Sequence, residues 1–295
     1  RWRPAIWMHE PIRVLEIWCC HGATQGLRPG SGTSYSAGNP TEMNASISEI
    51  RSYPVKGLSG LILAHASLEI GQTITGDRRF ALGRPGFAFD TENPVWMPKT
   101  NFLALVRDEK LAELDAGFDG STNILTLRQA ARVVLAADLS SPEGRTEVEA
   151  FFAEFLADEI DGLPTLLEAG DHSFSDLDAK VISLINLNSV AALGNQIDAD
   201  VDARRFRANV YFDGAPAWSE FDWLDRRIQI GGAVAEIIKR TRRCAATNVN
   251  PDTARRDMNL PRALQKGWGH TDMGVYARIV KPGEIRPGDT IVPTA

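Results

Sequence analysis

Between Ile47 and Leu135 the apolar residues fall in short runs and never in a long helical stripe. Leu61–Leu63, Leu68–Ile70, Phe80–Leu82, Phe102–Val106, Ile124–Leu127 and Val133–Leu135 are such runs, with Gly71, Gly76, Gly117 and Gly120 set among them. Runs this short, broken by glycine, suit strands joined by tight turns, so the pattern predicts a barrel or sandwich-like β unit. Lys110–Leu114 predicts a short turn of helix within it. The pattern then changes. Ser141 followed by Pro142 reads as an N-cap with proline at the first helical position, and Val148, Phe151, Phe152, Phe155 and Leu156 recur at helical spacing. Gly162 and Pro164 close that helix, which with the polar loop after it connects two halves.

From His172 onward strands are predicted again. Val181–Leu187 reads as a buried strand running into a short helix, Asn188–Leu193. Arg205–Phe212 reads as a strand with Phe206, Ala208, Val210 and Phe212 on one side and Arg205, Arg207, Asn209 and Tyr211 on the other. Ile228–Ile230, Val234–Ile238, Val275–Val280 and Thr290–Val292 supply further strands, with turns at Gly283 and Pro287-Gly288-Asp289. The expected class is mainly β with some α (α+β).

Composition narrows the function classes. A net charge of −6 over 295 residues argues against wholesale binding to a phosphate backbone, so no nucleic-acid partner is expected and local basic clusters look aimed at a small anion. There is no apolar run of 18 residues, so no membrane partner is expected. Three cysteines do not make a disulfide framework, and a reducing, cytoplasmic setting is the default. Residues 1–42 stand apart: they begin at Arg1, hold Trp2, Trp7, Trp18, Cys19 and Cys20, and end in Gly/Ser/Pro-rich sequence. The expectation is that ordered protein begins at Met43 and that 1–42 is a non-native or disordered extension.

The chemistry-bearing candidates are few. Cys244 ends the cationic run Lys239-Arg240-Thr241-Arg242-Arg243, an environment that favours a thiolate, the form that binds soft metals or attacks electrophiles. A small buried hydrophobe is the alternative reading. Arg207 and Asn209, two apart, can reach one ligand or lie on a solvated sheet face. Tyr53-Pro-Val-Lys56-Gly57 and Gly76-Asp-Arg-Arg79-Phe80 each set cations beside a turn, where an anion can be held. His65, His172 and His270 fit no zinc spacing. Nucleotide-binding glycine fingerprints and a G-x-S-x-G elbow are absent from the sequence. A papain-like pairing of Cys244 with a histidine stays open.

Taken together, Tyr53-Pro-Val-Lys56, Asp77-Arg-Arg-Phe80, Ile182–Val190, Arg205–Asn209, Arg243-Cys244, Asn250-Pro-Asp-Thr253, Gly274-Val-Tyr276 and Gly288-Asp289 resemble the MOSC proteins, among them the mitochondrial amidoxime-reducing component and its bacterial relatives. The resemblance covers Met43 to Val292. It implies an N-terminal β-barrel-like domain at 43–137, a connecting helix and loop at 138–171, and a MOSC β-barrel-like domain at 172–295. It implies a molybdenum cofactor (molybdopterin) with Cys244 as the metal ligand and catalytic residue. Lys56, Arg79, Asp178, Lys180, Arg207, Asn209 and Arg243 would be the cofactor-binding residues. Ala179 and Lys180 differ from the hydroxyl residues of the amidoxime reductase, Asn250 stands where aspartate is common, and Ala254 replaces a glycine. The family's association with pyridoxal phosphate binding comes with the same resemblance. The implied activity is reduction of a small N-hydroxylated substrate, with electrons from a separate donor protein of ferredoxin or flavoprotein type. An iron–sulfur cluster in this chain is not expected, because a four-cysteine set is lacking. Two other readings stay open: a cofactor carrier without turnover, and a persulfide-type sulfur transferase using Cys244.

Overall fold

The computed structural model describes residues 45–294; the expected start at Met43 and the segment 1–42 lie outside the described residues. In chain order the first elements are β1 (Ala45–Ser52), β2 (Leu61–Leu63), β3 (Ala66–Leu68), β4 (Phe80–Gly83), β5 (Leu114–Asp119), β6 (Ile124–Gln129) and β7 (Arg132–Asp138). Then come α1 (Pro142–Phe155), β8 (Thr165–Glu168), β9 (Ile182–Asn186), α2 (Leu187–Ile197) and β10 (Val210–Asp213). The chain continues through β11 (Arg227–Ile230), β12 (Ala233–Arg242), α3 (Leu260–Trp268), β13 (Asp272–Lys281), β14 (Gly283–Ile285) and β15 (Thr290–Pro293). The mainly β class with helices is the one that forms. No helix among the described residues is long and apolar enough to cross a membrane.

Seven strands close on themselves in the order β10-β9-β13-β12-β11-β15-β1, and β1 pairs back onto β10. Closure leaves no free edge within the ring. Only β9 and β10 run parallel, and the helix α2 between them is the crossover that a parallel pair requires. The barrel core is aliphatic, with Ile47, Ile182, Leu184, Val210, Phe212, Ile237, Val275 and Ile279 among its buried residues. β1 is a stave of this ring, so the strand that opens the expected 43–137 domain completes the barrel formed otherwise by residues 182–293.

A second core lies among β4, β8, the three-stranded sheet β5-β6-β7 and α1. The helix starts as the sequence predicts. Ser141 Oγ accepts a hydrogen bond from Gly144 N at 3.0 Å, and Pro142 occupies the first turn. Gly144 is required there, because any Cβ would run into the backbone of Asp138. Val148, Phe152 and Leu156 bury their side chains against Leu82, Leu125 and Leu127 in this core.

One expected strand does not form and another forms only in part. Phe102–Val106 makes one isolated bridge, Gly83 to Phe102, and then turns. Arg205–Phe212 is a strand only from Val210. Asp202 caps a 3₁₀ turn at Ala203–Phe206, its carboxylate accepting from Arg204 N at 2.7 Å, and Arg207 follows at φ +52°. The apparent alternation of Arg205, Arg207 and Asn209 on one strand face is therefore a turn, a left-handed residue and a strand entry. Local Asp capping has overridden the two-residue period.

Candidate functional site

β12 is bulged near its end, with register shifts between Ile237 and Lys239 and again between Arg240 and Arg242. Bulges re-aim the side chains that follow them, and here Thr241, Arg243 and Cys244 reach a cavity at one end of the barrel. Cys244 is half-buried and opens the 3₁₀ turn Ala245–Asn248, where Thr247 N and Oγ1 donate to its carbonyl at 3.1 and 2.9 Å. Arg243 is fixed from below: its guanidinium donates to Met273 O at 2.8 and 2.6 Å and to Phe206 O at 2.9 Å. Gly274 makes room for this, at φ +74°, because a Cβ there would collide with Leu184 O.

The opposite wall comes from the first half of the chain. Lys56, buried, donates to Phe174 O and to Asp176, both at 2.8 Å, and Lys99 donates to the other oxygen of Asp176 at 2.9 Å. Burial alone would raise the Asp176 pKa, but Lys56 and Lys99 hold its carboxyl far below the ordinary carboxylate range. Burial pushes the Lys56 ammonium downward, with Asp176 acting against it. For Lys99 burial also acts downward, yet Asp176 and the Cys244 thiol together raise it above the ordinary lysine value.

Where the two walls meet, Arg207 of the barrel wall and Arg78 of the facing wall both stack on Tyr53, their guanidinium carbons 4.3 and 4.8 Å from the ring centroid. Arg78 is paired with Asp77 and donates to Arg207 O at 3.1 Å. Among the described residues the Arg207 guanidinium makes no hydrogen bond or ion pair of its own, and burial lowers its pKa.

The cavity thus collects Lys56, Arg207, Asn209, Arg243 and Cys244 from the residues expected in the sequence. Asn209 is fully engaged in the fold: its Oδ1 accepts from Ser183 N and Oγ at 3.0 Å each, and its Nδ2 donates to Arg51 O at 3.2 Å. It ties β1 to β9. Three expected residues are not among the cavity's lining. Arg79 donates to Glu168 at 2.6 Å and to Asn123 at 2.9 Å, and its neighbour Arg78 takes the place at the cavity. Lys180 bonds Gln72 at 2.7 Å, and Asp178 also lies away from the cavity, whereas Asp176 lines it. Arg78, Lys99, Asp176, Thr241 and Tyr276 are lining residues that the sequence reading did not assign to a site. Arg78 and Tyr276 lay inside quoted motifs and were within reach of that reading. Lys99 and Asp176 carry no local signal.

Lys56, Arg78, Lys99, Arg205, Arg207, Arg242 and Arg243 face only Asp77 and Asp176 in the lining, seven cations against two acids. In the lining, Arg205 Nε and Thr241 Oγ1 are buried without a hydrogen-bond partner among the described residues. A buried polar atom left unpaired costs about 1–3 kcal/mol, so this cavity is built for an anionic ligand with hydrogen-bonding edges.

Residues 169–292 match the MOSC domain. Mitochondrial amidoxime-reducing component 1 of Mus musculus is 26% identical over 126 residues, covering 39% of this chain and 36% of that protein. The Xenopus laevis protein of the same name is 23% identical over 220 residues, covering 68% of this chain and 59% of that protein. The alignments therefore span between 36 and 59% of these relatives. Among solved structures, the YUAD protein from Bacillus subtilis covers 84% of this chain and 94% of its own at 11% identity and a TM-score of 0.39. YiiM from Geobacillus stearothermophilus covers 39% of this chain and 54% of its own at 19% identity and a TM-score of 0.31. The match to the MOSC domain at residues 169–292 includes Cys244.

Proposed function

We propose that this cavity binds a molybdenum–pterin cofactor with Cys244 Sγ as the protein ligand to the metal, and that the protein reduces small N-hydroxylated compounds with electrons from a separate donor protein. The observation that carries the reading is a half-buried thiol set in a cavity with surplus positive charge, where Arg207 makes no hydrogen bond or ion pair among the described residues. Among the described residues no three His, Cys, Asp or Glu side chains cluster to hold a metal by themselves. A metal at Cys244 therefore has to bring further ligands, which a dithiolene-bearing pterin does. Thiolate softness suits molybdenum.

The residues present fit such a group. Arg207 and Arg243 on the barrel side, and Lys56 and Arg78 opposite, offer charged donors to a phosphorylated pterin, while Thr241 Oγ1 and Arg205 Nε are the unpaired polar atoms beside them. Arg243 also fixes the backbone that carries Cys244, through its bonds to Met273 and Phe206. When bound, the cofactor supplies the two-electron chemistry; the protein supplies orientation and charge. The names of the amidoxime-reducing relatives support the choice of substrate class. Lys56 and Lys99 both pair with Asp176, and the reading takes neither as the site of a Schiff base with pyridoxal phosphate.

Metal and pterin analysis of the purified protein, followed by reduction of an N-hydroxylated base with an artificial electron donor, tests the reading. Cofactor with turnover supports it. Cofactor without turnover leaves a carrier, and sulfur transfer from Cys244 without cofactor overturns it.

A further inference from the structure

Lys99 has no counterpart among the residues expected to hold a cofactor, yet it lines the same cavity as the thiol. It begins the 3₁₀ turn Lys99–Asn101 after Pro98. Its ammonium donates to Asp176 Oδ2 at 2.9 Å, and Lys99 and Cys244 line the same cavity. Asp176 is held from its other side by Lys56, and Lys56 is anchored in turn to Phe174 O. Lys99 is therefore no swinging surface lysine: its side chain is 31% exposed and lines the cavity.

An ammonium carries three N–H donors. Asp176 takes one, which leaves a donor for whatever is bound beside Cys244. A ligand atom there that carries an oxygen lone pair meets this donor. A ligand lacking the oxygen leaves a desolvated N–H unpaired. A site built around a hydrogen bond rejects the analogue that cannot make it far more strongly than a site that only fits shape.

We propose that Lys99 is a specificity-determining residue, donating a hydrogen bond to the oxygen of an N–O group bound beside Cys244 and so selecting N-hydroxylated compounds over their parents. The proposal rests on the functional reading above in one respect, that the substrate presents its N–O group at Cys244. Asp176 acts through Lys99 and is a positioning residue.

The test uses the purified full-length protein and Lys99→Met, which keeps the stem and removes the ammonium. Molybdenum, pterin and melting temperature are measured first. Binding of N-hydroxycytosine and of cytosine is then measured by calorimetry with no electron donor present, so that nothing turns over. The parent protein should prefer N-hydroxycytosine by about tenfold or more, the scale of one charge-assisted hydrogen bond. Lys99→Met should bring the ratio close to one by weakening only the hydroxylated ligand, with molybdenum and pterin unchanged. Lys99→Arg, which keeps charged donors, should restore part of the preference. An undiminished ratio in Lys99→Met overturns the proposal. So does a parallel loss of pterin, which would make Lys99 a cofactor contact. If the parent protein holds neither molybdenum nor pterin, the functional reading falls and takes this proposal with it. If it holds both and only the ligand ratio refuses to move, the Lys99 proposal falls alone.

Discussion

On the barrel wall of the cavity, Arg243 is held by the neutral carbonyls of Met273 and Phe206, and Arg207 lies on the Tyr53 ring with no hydrogen bond of its own among the described residues. On the facing wall, Lys56 and Lys99 share the carboxylate of Asp176, and Arg78 is paired with Asp77. One wall leaves its charge uncompensated; the other neutralises much of it internally. Carbonyl oxygens orient a guanidinium without cancelling its charge, whereas a carboxylate does both. The barrel wall is therefore preorganised for an incoming anion, and the loop wall is arranged around its own acid. That difference can be tested wall by wall.

The largest effect falls on Cys244. Cys244→Ser should abolish retained molybdenum, because a hydroxyl of similar shape lacks the softness of a thiolate, while the melting temperature stays near that of the parent. Metal analysis beside a thermal melt checks both halves, and stoichiometric molybdenum in the serine variant would remove Cys244 as ligand.

Gly274→Ala comes next and strikes the support of the same wall. The residue would have to hold φ +74° with its Cβ against Leu184 O, so the variant should lose about 2 kcal/mol or more and cofactor retention with it. Urea unfolding of the parent and the variant measures this; equal midpoints would show that Arg243 does not depend on that glycine.

Arg207→Met and Lys56→Met set the two walls directly against each other. Arg207 has no hydrogen bond to lose among the described residues, so Arg207→Met should change stability by less than about 1 kcal/mol yet lower affinity for the cofactor roughly tenfold. Lys56→Met removes bonds to Phe174 and Asp176 and should cost about 1–3 kcal/mol of stability. Chemical denaturation of both variants in the cofactor-free state decides it. Equal losses would mean that the walls do not differ.

The smallest effect is a pH dependence. Asp176 has a pKa depressed by Lys56 and Lys99 against the effect of burial, so it binds fewer protons when folded than unfolded. Its contribution is fully present above the ordinary carboxylate pKa of about 4. It is lost as pH falls through the depressed folded value. Asp176→Asn should therefore lose stability at neutral pH and show a shallower decline on acidification. Parallel curves for the two proteins would show that the carboxylate contributes nothing specific.

The strands of the barrel, the Ser141-capped helix and the mainly β class were legible because they rest on local patterns: alternation, helical spacing and capping chemistry. Cys244, Lys56, Arg207 and Arg243 were legible through short motifs whose order along the chain resembles a family. Arg79 was assigned in place of Arg78 because adjacent arginines in a turn look alike until the backbone is fixed. Arg78 adopts φ +53°, and only that turn decides which side chain points inward. Asp178 and Lys180 do not line the cavity, for a related reason. The segment between β8 and β9 has no regular period, so nothing local says that Asp176 is the residue that reaches the lysines.

By itself the sequence determined the strand pattern, the helix start at Ser141, and a cysteine placed among cations. Those follow from neighbours within a few residues, where propensity and charge act directly. Tertiary structure alone decided that β1 closes a ring with strands more than 150 residues away, as the register of Ile47 with Phe212 shows. It alone brought Lys99, Asp176 and Cys244 into one cavity. Long-range pairing is set by which buried faces fit together, and the side chains that meet across such a fit carry no mark of their partners along the chain.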